Sequence, residues 1–151
     1  MPEMKPEKVF AVQDTREQLP YDLKPFNVIV KGLKSGDYSL LGFEDKVSIE
    51  RKTLADFVGS ISHGRDRFER EVERLQSFES KVILVEGSAA DIANHRYQSQ
   101  MHPNSVMGTI AKYAAVGIPV MLACDRKIAQ DFARRFLFLC AKYRMSACED
   151  S

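Results

Sequence analysis

The sequence predicts an α/β domain with a mixed sheet flanked by helices, and three observations carry that expectation. Short runs rich in β-branched and apolar residues recur at 9–12, 27–30, 38–41, 46–52, 81–86 and 120–123. From position 53 onward, these runs alternate with segments whose apolar residues return every three or four positions, the helical period. The order is therefore four strands, two helices, a strand, two helices, a strand and a last helix. It suggests an antiparallel opening meander to which later strands are added through helical crossovers.

Residues 1–7 are charged and carry Pro2 and Pro6, so they are expected to fray. Val9 to Val12 reads as a buried strand that runs on to Asp14. Asp-Thr-Arg-Glu and then Gln-Leu-Pro-Tyr form a polar turn closed by Pro20. Asn27 to Val30 is the second strand. Gly32 and Gly36 bracket a turn, Asp37 stands at the start of the third strand, and 42–45 is a hairpin connection into the fourth. In that fourth strand Lys46, Ser48, Glu50 and Lys52 point to one side, while Val47, Ile49 and Arg51 point to the other.

Thr53 is a suitable N-cap with Asp56 three residues on, a capping-box variant. Leu54, Phe57, Val58 and Ile61 then make one helical stripe. Ser62-His63-Gly64 breaks this helix, and a second begins near Arg65, burying Phe68, Val72, Leu75 and Phe78. The run V-I-L-V within 81–86 shows no alternation, as expected of a strand covered on both faces. Residues 88–94 form a short helix and 95–102 a loop. Pro103 opens a helix to about Val116, with Val106, Ile110, Tyr113 and Ala114 inward, which Gly117 and Pro119 end. After the strand 120–123, Asp125 caps a final helix on which Ile128, Phe132, Phe136, Leu139 and Tyr143 recur. The expected organisation is a single domain over 8–145 with flexible ends at 1–7 and 146–151.

At 151 residues the chain suffices for one domain with a real core. A formal net charge of +1 favours no class of partner, although basic residues crowd 65–74 and 126–144. Cys124, Cys140 and Cys148 form no C-x-x-C pair, which suits a reducing compartment and argues against a disulfide framework or structural zinc. No apolar run approaches the ~20 residues of a membrane span, and the first residues lack the hydrophobic segment of a signal peptide. The expectation is a soluble intracellular protein, cytoplasmic or nuclear, with no membrane partner.

Glu50 and Lys52 on one strand face fit metal-dependent phosphodiester cleavage: the acid holds a divalent cation and the lysine sits beside the attacking water or the phosphate. Asp37 and Glu50 are the first-choice ligands, and Asp14 is a third, direct or through water. The Arg51 carbonyl can add an oxygen, and Glu17 can complete the acidic pocket. Taken singly, each of these acids reads better as a solvated or capping residue; their grouping is what points to a metal. Arg51 lies on the apolar face of its strand, so it is expected to pair with an acid such as Asp56 or Glu17. His63, His95 and His102 show no ligand spacing and read as loop histidines. Arg65 and Arg67 fall in the first turn of a helix, a place suited to phosphate. Arg70 and Arg74 alternate with Glu69, Glu71 and Glu73 and read as a solvated, salt-bridged surface. On the last helix, Arg126, Lys127, Arg134, Arg135, Lys142 and Arg144 suit either a second DNA-facing patch or the outer face of a packing or dimer helix.

Several separated motifs agree in order and spacing with one family. D-T-R-E-Q-L-P-Y at 14–21, G-D-Y at 36–38, E-R-K-T-L-A-D-F at 50–57, S-I at 60–61 and G-R at 64–65 closely resemble the nuclease domain of the XPF/Mus/Hef family. Its signature, G-D-X(n)-E-R-K-X(3)-D, is matched by Gly36-Asp37, Glu50-Arg51-Lys52 and Asp56. The resemblance implies a restriction-endonuclease-like fold of the PD-(D/E)XK type. It also implies Mg²⁺- or Mn²⁺-dependent cleavage of branched DNA such as flaps, forks or nicked junctions, as in DNA repair and recombination. By the same resemblance, Asp37 and Glu50 become metal ligands helped by Asp14 and the Arg51 carbonyl, and Lys52 becomes the catalytic lysine. Arg16, Glu17, Asp56 and Arg65 become supporting residues.

The family's domain usually dimerises through helices away from the metal, so the late helices are the candidate homodimer or heterodimer interface. Relatives commonly add tandem helix-hairpin-helix modules, and Gly117-Ile118-Pro119 lacks the paired context of one. Junction recognition then falls to a second copy or a partner, or the enzyme is less selective. Two other readings stand beside this stand-alone nuclease domain. One is a non-catalytic DNA-binding or scaffolding module of the same fold, against which the joint retention of Asp14, Asp37, Glu50 and Lys52 speaks. The other is a metal-dependent nuclease acting on other nucleic acid.

Overall fold

The computed structural model describes residues 3–149, with side chains through Met145. Six strands, β1 (Phe10–Gln13), β2 (Asn27–Val30), β3 (Tyr38–Leu40), β4 (Val47–Thr53), β5 (Ser80–Glu86) and β6 (Val120–Leu122), form one sheet in the order β2-β1-β3-β4-β5-β6. The helices are α1 (Leu54–Ile61), α2 (Arg65–Gln76), α3 (Ala89–Ala93), α4 (Pro103–Ala115) and α5 (Arg126–Glu149). The expected flexible ends fall partly outside the described residues. Within them, Pro6–Lys8 forms a 3-10 turn and α5 continues through Glu149. Among the described residues, no helix is long and apolar enough to cross a membrane.

The opening is not a meander. β2 pairs parallel to β1, from Phe10 opposite Asn27 to Gln13 opposite Val30, and forms the sheet edge. A parallel neighbour requires a crossover, and the long 14–26 connection supplies one where a short hairpin loop would have forced antiparallel pairing. β3 is antiparallel to both β1 and β4, whereas β5 and β6 continue parallel to β4.

The strand period of two divides the core into two layers. Ala11, Tyr38, Leu40, Val47, Ile49, Val82 and Leu84 face α5. On the opposite face, Ile83 and Val85 pack with Leu54, Phe57, Val58 and Ile61 of α1, Phe68, Val72 and Leu75 of α2, and Val106 and Tyr113 of α4. The inward stripe of α4 differs from expectation, and α5 buries a face other than its stripe of large residues. On α4, Thr109 is buried and Ala114 is exposed. On α5, the buried residues are Ala129, Ala133, Leu137, Cys140 and Ala141, while Ile128, Leu139 and Tyr143 are exposed. Small residues let the α5 backbone approach the sheet closely, and this outweighs the larger stripe of Ile128, Phe132, Phe136, Leu139 and Tyr143. Asp125 caps α5 as expected, accepting the Ile128 N–H at 2.9 Å. His102, expected in a loop, caps α4 by accepting the Asn104 N–H at 3.0 Å.

Candidate active site

The site arises where β4 loses a neighbour. β3 meets β4 with Tyr38 opposite Ile49, so Glu50 to Thr53 are paired to β5 alone. Val47, Ser48 and Ile49 are accordingly buried, and Glu50, Arg51 and Lys52 are half-buried at a notch. Asp37 closes this open edge. Its N–H donates to the Ile49 carbonyl at 2.8 Å, and its Oδ2 accepts the Arg51 N–H at 2.8 Å. Asp14, which follows β1, donates its N–H to the Asp37 carbonyl at 2.9 Å. Strand parity brings Asp14, Asp37, Glu50 and Lys52 to the α1–α2 face, as the alternation of β4 requires for its own pair.

Gly36 makes the approach of Asp37 possible. Its φ is +80°, and a Cβ there would lie 2.1 Å from Ser48 Oγ in the buried layer beneath.

The acids line a pocket of about 270 Å³ together with Arg16, Glu71 and Arg74. Their electrostatics differ. Asp14 is 1% exposed, and burial pushes its carboxyl upward. The bonds from Arg16 Nε (2.8 Å) and the Leu33 N–H (2.8 Å), with the Arg16 charge, outweigh that and leave it below the usual range. Burial raises Asp37 to about 6 against the lowering effect of the Arg51 N–H, and Glu17 adds repulsion. Burial also raises Glu50, to about 8, reinforced by Asp37, Glu71 and Glu17 and opposed by Lys52. Lys52 Nζ lies 3.9 Å from Glu50 Oε1 and 5.0 Å from the centre of the Phe68 ring on α2. A lysine and two mutually repelling carboxyl groups, both raised by burial, thus share one cleft, the kind of grouping that marks a candidate functional site.

Residues 9–136 match the family model of the ERCC4 domain. The chain belongs to the ERCC4-domain family. XPF from Aeropyrum pernix superposes with a TM-score of 0.71 at 28% identity, covering 87% of this chain and 61% of that one. The same protein in complex with DNA gives 0.72 at 28% identity, covering 89% and 66%. A Methanocaldococcus jannaschii protein provisionally named an ATP-dependent RNA helicase is 33% identical over 106 residues, 70% of this chain and 12% of that protein. The chain spans less than two thirds of each of these relatives. The mixed sheet flanked by helices is the restriction-endonuclease-like fold shared with XPF.

Within this ERCC4 domain, Arg51 belongs to the opposite, α5 face. Its guanidinium donates to Glu17 Oε2 at 2.9 Å, Glu86 Oε2 at 2.8 Å and the Leu19 carbonyl at 2.6 Å, and lies 3.9 Å from the Tyr21 ring centre. Of its two expected partners, Glu17 is found and Asp56 is not; Glu86 takes that place. Glu17 also accepts from Tyr38 OH at 2.7 Å. Its carboxylate is therefore held in the Arg51 network rather than completing the acidic pocket, which it influences only through its charge. Asp56 is exposed on the first turn of α1, where its N–H donates to Thr53 Oγ1 at 3.1 Å. It lines a second pocket of about 620 Å³ with Lys52, His63 and Arg67. Arg65 turns toward the Ile61 carbonyl (3.3 Å) and Glu69 (3.6 Å), so Arg67 is the better exposed of the two candidate phosphate contacts.

Glu71 is the residue that sequence reasoning missed. Read as solvated surface, it lines both pockets. It follows Phe68 by three residues and precedes Leu75 by four, and those spacings put it on the flank of the buried stripe. That position was the available signal.

Among the described residues, no group of three or more His, Cys, Asp or Glu side chains converges to hold a metal ion. Magnesium asks for less: it keeps waters and takes one or two carboxylates plus substrate phosphate. Asp37 meets its bond from Arg51 through Oδ2 alone, and Glu50 has Lys52 beside it at 3.9 Å. Two hard oxygen donors that repel each other's charge fit such an ion.

Proposed function

We propose that this ERCC4 domain is a divalent-metal-dependent DNA endonuclease that hydrolyses phosphodiester bonds in branched DNA such as flaps, forks or nicked junctions. The observation that carries the reading is the convergence of Asp37 and Glu50 beside Lys52 at the open edge of β4. The DNA complex of the similar A. pernix XPF supports DNA as the substrate.

Asp37 and Glu50 would hold Mg²⁺ or Mn²⁺, with the Arg51 carbonyl on the same strand edge and Asp14 acting through water. Such an ion, when bound, lowers the pKa of water and neutralises charge on the phosphoryl oxygens. Lys52 orients the attacking water and stabilises charge on the phosphate. Asp14, clamped by Arg16 and Leu33, fixes the 31–37 loop and hence Asp37. Arg67 draws the strand into the cleft. A homodimer or heterodimer would form through α5, whose exposed Leu139 and Tyr143 extend the stacked Phe132–Phe136 pair.

The test is cleavage of labelled flap, fork, nicked-junction, duplex and single-stranded DNA with Mg²⁺, Mn²⁺ or EDTA. Metal-dependent cutting of branched substrates is expected. Binding without cutting of any substrate would favour a scaffold, and cutting of RNA alone would replace the substrate class. A monomeric mass across micromolar concentrations would count against the dimer.

A further inference from the structure

Three depressions share walls. The acidic pocket meets the Arg67 pocket at Glu71, and on its other side Lys34, Ser35 and Arg74 also line a third depression of about 510 Å³. The acids therefore lie between two flanking depressions, which together outline a trough. Cations occupy both arms, but most near the acids already have partners: Arg16 is paired with Asp14, Lys31 with Glu44 and Lys52 with Glu50. Among the described residues, neither Lys34 nor Arg74 has a carboxylate within 4.0 Å, although both line the same pocket as Asp37, Glu50 and Glu71. Both are exposed. Each is held by a fixed backbone. Lys34 follows Leu33, whose N–H is bonded to Asp14 at 2.8 Å, and Arg74 precedes the buried Leu75 in the last turn of α2.

A cluster of carboxylates repels a polyanion, so a strand crossing it needs cations on both sides. Arg67 serves the α1–α2 arm, and nothing assigned so far serves the other. We propose that Lys34 and Arg74 together bind a backbone phosphate next to the scissile bond, on the far side of the acids from Arg67. They thereby set the path of the strand through the trough. The inference rests on the nuclease reading and adds to it two phosphate-binding residues. One of them, Arg74, the sequence alone assigns to solvated surface.

The experiment compares wild type with the Lys34→Ala/Arg74→Ala double variant on a labelled flap duplex. Binding is read by anisotropy in EDTA across a salt series, and cleavage is read with Mg²⁺. Each lost phosphate contact should reduce the slope of log K against log[salt] by about 1. The double variant should bind roughly tenfold more weakly, with a raised KM and kcat within about twofold of wild type. Lys34→Arg/Arg74→Lys should keep the wild-type slope. An unchanged slope and KM in the alanine variant, with wild type binding and cutting normally, overturns this inference and leaves the nuclease reading intact. A wild type that neither binds nor cuts DNA overturns the nuclease reading, and this inference with it.

Discussion

Asp37 Oδ2 accepts the Arg51 N–H at 2.8 Å, tying a loop acid to the backbone of the strand that carries Glu50 and Lys52. The bond uses one carboxylate oxygen of a residue that also lines the acidic pocket. One residue thus completes an unpaired strand edge and stands in the pocket proposed to take the cation.

Asp37→Asn keeps an acceptor for the Arg51 N–H but removes the charge, and Lys52→Ala removes the ammonium beside Glu50. Both variants should fold and bind DNA. Cleavage of a labelled flap should fall by about 10²–10⁴-fold in each, the range typical of lost acid–base or electrostatic groups. Undiminished cutting by either would remove that residue from the chemistry.

Glu71 adds negative charge between the two halves of the trough. Glu71→Gln should raise the Mg²⁺ concentration needed for half-maximal activity by about tenfold, the scale of outer-shell changes at metal sites. A metal titration at saturating DNA measures this. An unchanged titration curve would return Glu71 to the solvated surface.

Metal-free stability should depend on pH in a defined direction. Folding raises Asp37 to about 6 and Glu50 to about 8, so between the ordinary carboxylate range and those values the folded chain holds protons that the unfolded chain has released. That stability is full at low pH and is lost as pH rises from the ordinary carboxylate range through the raised values of the pair. Thermal melts in EDTA should show the decline. Glu50→Gln should flatten the decline and gain about 1–2 kcal/mol at mildly alkaline pH, as expected where function opposes stability. Mg²⁺ should restore wild type more than the variant; identical profiles for the two would contradict the assignment.

Arg51 joins Glu17, Glu86 and Tyr21 on the α5 face. Arg51→Met leaves two half-buried carboxylates without their cation and should cost about 3–5 kcal/mol in denaturant unfolding. Arg51→Lys should recover little of this, because one ammonium cannot reproduce the fork and its stacking on Tyr21. Wild-type stability in Arg51→Lys would show that charge alone suffices.

Local sequence determined much of this protein. The period of two in β4 places Glu50 and Lys52 on one face, the caps at Thr53 and Asp125 start their helices, and the ordered motifs from Asp14 to Arg65 mark the family. These are local statements, and backbone geometry makes them legible. The tertiary structure decided the rest. β2 lies parallel at the edge, Arg51 finds Glu86 rather than Asp56, Glu71 turns into the cleft, and α5 buries its alanines and leaves Tyr143 outside. Periodicity says which residues share a face. It does not say how closely that face will pack, or which distant charge will meet a given one across the sheet. Those depend on the fit of surfaces brought together by elements far apart in the chain, and only the assembled fold specifies that fit.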